Sequence, residues 1–415
     1  MKVYKFGGAS IKDSTSIRNL AKILKSESSQ KLVIVISAMG KMTNAFEQIV
    51  AHYQSNSDQL ETAMSYVQDF HLNMIKELFP ENHVVKNEIE ELFLEIHQFI
   101  LINKQTDYDY VYDQIVSYGE LLSTKIISHF LALQGMDTTW LDARTIVITD
   151  TNYRNANIDW QQTCQNIQHS IQDDTVYITQ GFIAGSKHAS TTTLGREGSD
   201  YSAAIFSYCL GAESLSIWKD VPGVYNADPR YFKNPKLIKQ LSYREVLEMA
   251  FYGASVIHPK TIKPLENKGI PLYVRSFAHP EDEGTTIKKG IDLIPKTACY
   301  TIKNNQILLS ISARDFSFII EKNISMIFDL FARYRIKVNL IQNSAISFSV
   351  CIEDMYNSFE SLLKELQDLF YVTYNKEVQL ISIRHFTRRD IEKIKKDYSI
   401  LLSQQTSKTL QFIVK

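Results

Sequence analysis

The chain has few cysteines, almost no net charge and no long apolar run, and each shortage removes a class of function. Its four cysteines, Cys164, Cys209, Cys299 and Cys351, are far apart and form no C-x-x-C pair. Neither a zinc site nor a disulfide framework is signalled, and all four read as buried thiols. A formal net charge of −1 gives no electrostatic case for a nucleic-acid or membrane-surface partner. No uninterrupted apolar stretch approaches the roughly 20 residues that span a bilayer. The strand-like run behind Met1 contains no apolar h-region of the kind a secretory signal needs. A cytoplasmic protein with small-molecule ligands is therefore expected. At 415 residues, 44% hydrophobic and 22% charged, the chain has a globular composition and enough length for two or three domains.

What is present is a series of strand, turn and helix signals. Lys2 to Phe6 reads as a strand that runs into Gly7-Gly8-Ala9-Ser10, and Ile17, Leu20, Ala21 and Leu24 then share one helical face. Two glycines at a strand end let main-chain N–H groups approach a phosphate, with Lys5 close by as a charge; a plain turn accounts for the glycines as well. The spacing is not that of a Walker loop. Leu32 to Ile36 is an unbroken apolar run, as in a strand covered on both faces, and it ends in a polar loop from Ser37 to Asn44. Residues 45–105 are helical in period, and Ser117 to Ser123 leads a helix that stops at Gly135. Glu120, at the front of that helix, has the simpler reading of a dipole-compensating glutamate. Strands are expected at 139–141, 175–183, 214–218 and 271–277, giving an α/β fold with a largely parallel sheet and helices on both faces.

The stretch from Thr191 to Asp200 holds four hydroxyls, two glycines, an arginine and two carboxylates. Such a loop before a helix suits an anion, with Ser199 or Asp200 as the helix cap; the alternative is a solvated turn. Lys219, Asp220, Tyr225, Asp228 and Arg230 surround a Pro-Gly turn, a mixture suited to a nucleotide or to a charged surface loop. Ser242 and Glu245 have capping-box spacing. His258, immediately before Pro259, is expected to make a structural hydrogen bond.

Taken in order, Lys5-Phe6-Gly7-Gly8, Ser117-Tyr118-Gly119-Glu120, Gly181-Phe182-Ile183, Thr191 through Asp200, Lys219 to Tyr225 and Val274-Arg275-Ser276-Phe277 resemble the aspartate kinases. The resemblance implies an amino-acid kinase catalytic domain over 1–280 and phosphorylation of the L-aspartate side-chain carboxylate by ATP. The product would be 4-phospho-L-aspartate, the entry to lysine, threonine and methionine. It implies that Lys5 stabilises the transferring phosphoryl group, that Asp200 orients Lys5, and that Gly7, Gly8 and Ser10 cradle phosphate. Arg196 would hold the α-carboxylate and Glu120 the α-ammonium, with Ser37, Thr43 and Ser199 hydrogen-bonding to the substrate. Lys219, Asp220, Tyr225 and Arg230 would hold ATP, and Mg²⁺ would travel with its phosphates, with no protein ligand assigned. Two positions depart from the family pattern: Ala9 stands in place of a threonine, and Ser255 in place of a nucleotide-binding lysine that Lys260 would replace only if the loop allows. Weakened ATP binding is expected.

A linker is expected over 281–297. From 304 to about 375 the order of strands and helices resembles an ACT domain, the regulatory module of the family. A shortened second module follows at about 376–415, with a helix over 389–402, and 298–303 is available to complete it. The resemblance implies a homodimer paired through this region and an amino-acid effector. Asn339, Ala345 and Ser317 replace residues usual in lysine-sensitive relatives, so weak or absent lysine inhibition is expected. Two other readings stand beside the aspartate kinase: a catalytically impaired amino-acid sensor, and a kinase for an acceptor such as glutamate or acetylglutamate.

Overall fold

The computed structural model describes residues 1–26, 31–172, 175–254, 257–315 and 317–415. The chain forms two compact units. The first comprises Met1–Val224, Leu237–Leu247 and Val256–Ile294, and the second Tyr225–Lys236, Glu248–Ser255 and Pro295–Lys415.

The first unit is built on an eight-stranded sheet in the order Thr138–Leu141, Val176–Gln180, Leu32–Ile36, Lys2–Phe6, Ser214–Lys219, Leu272–Ser276, Thr285–Ile287 and Gln240–Leu241. All neighbours are parallel except Leu272–Ser276 with Thr285–Ile287. Leu32–Ile36 is buried along its whole length because its apolar run faces protein on both sides. Tyr4, Phe6, Ile34 and Ile36 enter one core with residues of the helices Ser14–Ser26, Met42–Gln54, Leu60–Leu78, Val85–Ile102 and Tyr118–Leu133. Strand alternation turns Val3, Val33 and Val35 the other way, where they are equally shut off from solvent.

Several expectations need correction. The run 175–183 is two strands: Val176–Gln180 stays in the large sheet, while Ile183–Ser186 joins a three-stranded sheet with Ile148–Thr149 and Thr191–Thr193. Phe182 causes the break, since its φ of 66° turns the chain out of the strand. Within the expected linker, Thr285–Ile287 is a strand, because the Thr285 hydroxyl is buried between the Ile238 carbonyl (2.6 Å) and the Val224 N–H (2.9 Å). Cys164 and Cys209 form a disulfide between the helices Trp160–Ser170 and Gly198–Leu210, which a separation of 45 residues hid from motif reading. Cys299 and Cys351 are buried thiols.

The second unit carries a six-stranded antiparallel sheet in the order Lys337–Asn343, Ser347–Glu353, Cys299–Ser312, Tyr371–Arg384, Thr409–Val414 and Ile400–Gln405. Its two central strands are each 14 residues long. One half of each, with the helices Glu321–Arg333 and Phe359–Leu369, forms a βαββαβ module of ACT type around Leu309, Ile327, Phe331, Val350 and Leu362. In the other half Cys299 to Lys303 pair with Leu380 to Arg384 over a separate core of Ile381, Ile383, Ile394, Leu410 and Phe412. The helix expected over 389–402 ends at Asp397. Ile400 to Leu402 lie instead in an edge strand, where their side chains alternate between half-buried and exposed. Among the described residues no helix is long and apolar enough to cross a membrane.

Candidate functional site

The parallel strands Lys2–Phe6, Leu32–Ile36, Val176–Gln180 and Ser214–Lys219 deliver their following loops to one edge of the first unit's sheet. This is the edge at which open α/β sheets gather ligands. A cavity of about 540 Å³ opens there. It is lined by Lys5, Gly8, Ser37, Thr43, Glu120, Arg196, Ser199, Asp200 and Lys219, all named as site residues from sequence. Phe182 and Glu197, which stand within the quoted motifs without an assigned role, also line it, as do Tyr112 and Arg154, which no motif included. The loops interlock through the backbone. The Gly40 N–H donates to the Gly8 carbonyl (3.0 Å), and the Gly181 N–H donates to the Ile36 carbonyl (2.8 Å). A Cβ on Gly8 would lie 2.7 Å from the Ala38 carbonyl oxygen and 2.8 Å from that of Gly40, so only glycine admits this approach.

Asp200 is the electrostatic centre. One carboxylate oxygen lies 2.6 Å from the Lys5 ammonium and the other 3.3 Å from that of Lys219, with the Asp200 side chain 3% exposed. Burial alone would raise its pKa; the two lysines outweigh burial and hold it below the ordinary value. Glu120 shows the opposite balance. Burial pushes its carboxyl up to about 8, against weaker pulls from the Ala38 N–H and Lys5. Its Oε1 accepts from that N–H (3.2 Å), and its buried Oε2 has no hydrogen-bond partner among the described residues. The helix bearing Glu120 is tied to the neighbouring loop by the Ser123 hydroxyl, which donates to the Ser37 carbonyl (2.7 Å). Glu197 is also raised by burial, with Lys219 acting against it, and its Oε2 is likewise buried without a partner among the described residues.

The helix that follows starts at Gly198, three residues earlier than the first helix former at Tyr201. Its cap position is Glu197, at φ 53° with no side-chain capping bond, so neither Ser199 nor Asp200 is the cap. Both sit in the first turn, which leaves them directed at the ligand edge. Ser10 turns away from the cavity, its hydroxyl donating to the Trp218 carbonyl (3.3 Å). Gly7 lies over Lys5: a Cβ there would be 3.3 Å from its Nζ. Asp220 is exposed, and neither it nor Gly7 nor Ser10 lines the cavity. Tyr225 and Arg230 belong to the second unit, where Arg230 forks onto Asp228. Ser255 lies outside the described residues. Lys260 is committed elsewhere, donating to Asn155 Oδ1 and lying 3.5 Å from the Leu194 carbonyl. His258 does make the expected structural bond, accepting from the Lys260 N–H (3.2 Å) as helix cap.

Residues 1–276 match the amino acid kinase family. The chain is 29% identical over 395 residues to lysine-sensitive aspartokinase 3 of Escherichia coli, an alignment covering 92% of this chain and 86% of that protein. It is 32% identical over 394 residues to the bifunctional aspartokinase/homoserine dehydrogenase of Buchnera aphidicola. That alignment covers 88% of this chain and 47% of the relative, and the chain spans 33% of a chloroplastic bifunctional relative from Arabidopsis thaliana. The chain thus spans about half the length, or less, of these bifunctional relatives. The crystal structure of E. coli aspartokinase III in complex with aspartate and ADP matches with a TM-score of 0.85 at 26% identity, covering 100% of this chain and 96% of that one.

Proposed function

Because the chain belongs to the amino acid kinase family, we propose that it transfers the γ-phosphoryl group of ATP to the side-chain carboxylate of L-aspartate. A carboxylate oxygen attacks the γ-phosphorus, the bond from that phosphorus to the β–γ bridging oxygen breaks, and 4-phospho-L-aspartate and ADP leave. The observation that carries the reading is the charge layout of one cavity. A buried, half-satisfied Glu120 carboxyl, an arginine fork at Arg196 and the Lys5–Asp200–Lys219 cluster all line it. An amino acid with an ammonium, a carboxylate and a second, phosphoryl-accepting carboxylate matches those three features in turn.

Under this reading Asp200 fixes the Lys5 ammonium where negative charge builds on the transferring group, and the loop at Gly8 leaves room for phosphate oxygens. Glu120 holds the α-ammonium and Arg196 the α-carboxylate; Ser37, Thr43 and Ser199 add hydrogen bonds. Among the described residues no group of three His, Cys, Asp or Glu could hold a metal ion, and Asp200 is already engaged by two ammonium groups. Mg²⁺ is therefore assigned to the phosphates of ATP. A cytoplasmic enzyme that pairs as a homodimer through its ACT-type unit completes the proposal.

Incubation with ATP, Mg²⁺ and hydroxylamine traps an acyl phosphate as its hydroxamate. Product from L-aspartate and none from L-glutamate is the expected result; product from neither overturns the kinase reading and leaves an amino-acid sensor. Arg196→Ala should raise the aspartate KM on the order of tenfold or more with little change in the ATP KM. Equal shifts in both would move Arg196 to the nucleotide.

A further inference from the structure

Three non-glycine residues that line the cavity, Arg154, Phe182 and Glu197, have left-handed backbones, with φ of 63°, 66° and 53°. Strain of this kind collects at functional sites. Phe182 and Glu197 belong to stretches already assigned to the ligand edge. Arg154 does not, and no motif pointed to it.

Its loop is pinned on both sides. Asp150 Oδ1 accepts from the N–H groups of Asn152 (3.1 Å) and Asn157 (2.9 Å), and the Ala156 N–H donates to the Thr193 carbonyl (3.0 Å). The turn itself is held by Asp113. This buried carboxylate accepts from the Arg154 N–H (3.0 Å), the Thr193 N–H (2.8 Å) and the Thr193 hydroxyl (2.7 Å). A Cβ built on Gly195 would lie 3.0 Å from the Arg154 carbonyl oxygen, so the arginine abuts the residue that precedes Arg196. The guanidinium lies 4.6 Å from the Tyr112 ring centre and 5.4 Å from that of Tyr108, and its Nη1 is 3.1 Å from Asp109 Oδ1.

A purely structural role explains this poorly. The ion pair with Asp109 joins side chains 46% and 55% exposed, and such pairs contribute little. Glycine would make the same turn without strain. The charge inventory of the cavity supplies a better reason. Four cations line it, and two of them, Lys5 and Lys219, are committed to Asp200. Arg196 and Arg154 are the other two, while the acceptor proposed above brings two carboxylates.

We propose that Arg154 is a second carboxylate-gripping guanidinium of the amino-acid subsite, acting beside Arg196 to set affinity for a dicarboxylic acceptor. The proposal deepens the kinase reading and rests on it. Asp109, Tyr108 and Tyr112 hold the guanidinium in place before substrate arrives, which lowers the cost of binding.

The position's geometry makes the test clean, because Arg154→Gly removes the guanidinium and relieves the backbone together. Hydroxamate kinetics and thermal denaturation of the parent chain, Arg154→Gly and Arg154→Lys separate the roles. The expected result for Arg154→Gly is an aspartate KM raised roughly tenfold, an ATP KM within about twofold of the parent, and a thermal midpoint no lower than the parent's. Arg154→Lys should recover part of the lost affinity, since a point charge replaces a planar fork. An unchanged aspartate KM, a matching rise in both KM values, or a fall in thermal midpoint alongside the kinetic loss overturns the proposal. If the parent chain itself makes no hydroxamate from aspartate, the kinase reading fails and takes this inference with it. Turnover by parent and variant with equal aspartate KM sinks this inference alone.

Discussion

Glu120 holds its proton at neutral pH because it is sealed from water, with a pKa pushed up to about 8. Under the role proposed for Glu120, a substrate ammonium binds the ionised form, so docking at pH 7 must expel that proton. The apparent affinity for aspartate should therefore improve as pH rises toward about 8 and level off above it, a trend that Glu120→Gln should abolish while weakening binding at every pH. Aspartate KM measured from pH 6 to pH 9 checks both parts. At this scale the sequence was legible where residues stand in a glycine-bearing motif: Lys5, Glu120, Arg196, Ser199 and Asp200 all reach the cavity. Tyr112, Asp113 and Arg154 were not. Tyr112 and Asp113 sit on the helix Tyr108–Val116, which went unread between the helical stretch expected over 45–105 and the helix led by Ser117. Arg154 is an arginine doing what sequence reading assigns to glycine.

Among the elements, the two loops that interlock at the ligand edge depend on Gly8. Gly8→Ala would push a methyl group into the Ala38 and Gly40 carbonyl oxygens, at 2.7 and 2.8 Å, and backbone atoms cannot swing aside. A loss of about 1–3 kcal/mol is expected, read by urea titration, together with weaker ATP binding. The helix Leu60–Leu78 carries a different liability. His71 is fully buried, its Nδ1 is 2.8 Å from the Val67 carbonyl, and burial depresses its pKa to about 4. The unfolded chain, with an imidazole near 6.5, binds a proton that the folded chain refuses. Stability from this group is complete above pH 6.5 and falls as pH drops toward 4, by about 3 kcal/mol in total. Urea midpoints at pH 7 and pH 5 should converge for His71→Leu relative to the parent. Element boundaries explain most of what sequence reading missed. The apolar run at 175–183 offers no proline or charge to mark its break, because a left-handed phenylalanine makes the turn. Thr285–Ile287 has only three residues, too few for a period to register.

For the whole molecule, regulation is the open expectation, and the second unit gives it a physical basis. Asn339 is 8% exposed, its carbonyl oxygen accepting from Lys303 Nζ (2.8 Å) and its amide donating to Gln306 Oε1 (2.7 Å). A neutral side chain already satisfied from within attracts an effector ammonium poorly, so lysine at submillimolar concentration should leave aspartate phosphorylation largely intact. A lysine titration with strong inhibition would refute this. The ACT-type order of strands and helices was readable because its helices and strands are short and regularly spaced. That 299–312 and 371–384 are each one continuous strand was not, since a strand serving two cores carries two overlapping patterns. Between Lys303 and Leu308 the pairing of these strands shifts register. That irregularity works as an expansion joint. A residue added or lost there can be absorbed without inverting either half, whereas the same change at Leu309 or at Ile381 would turn every following side chain inside out. Length variation along this sheet should accordingly be tolerated at the joint and nowhere else in its two long strands.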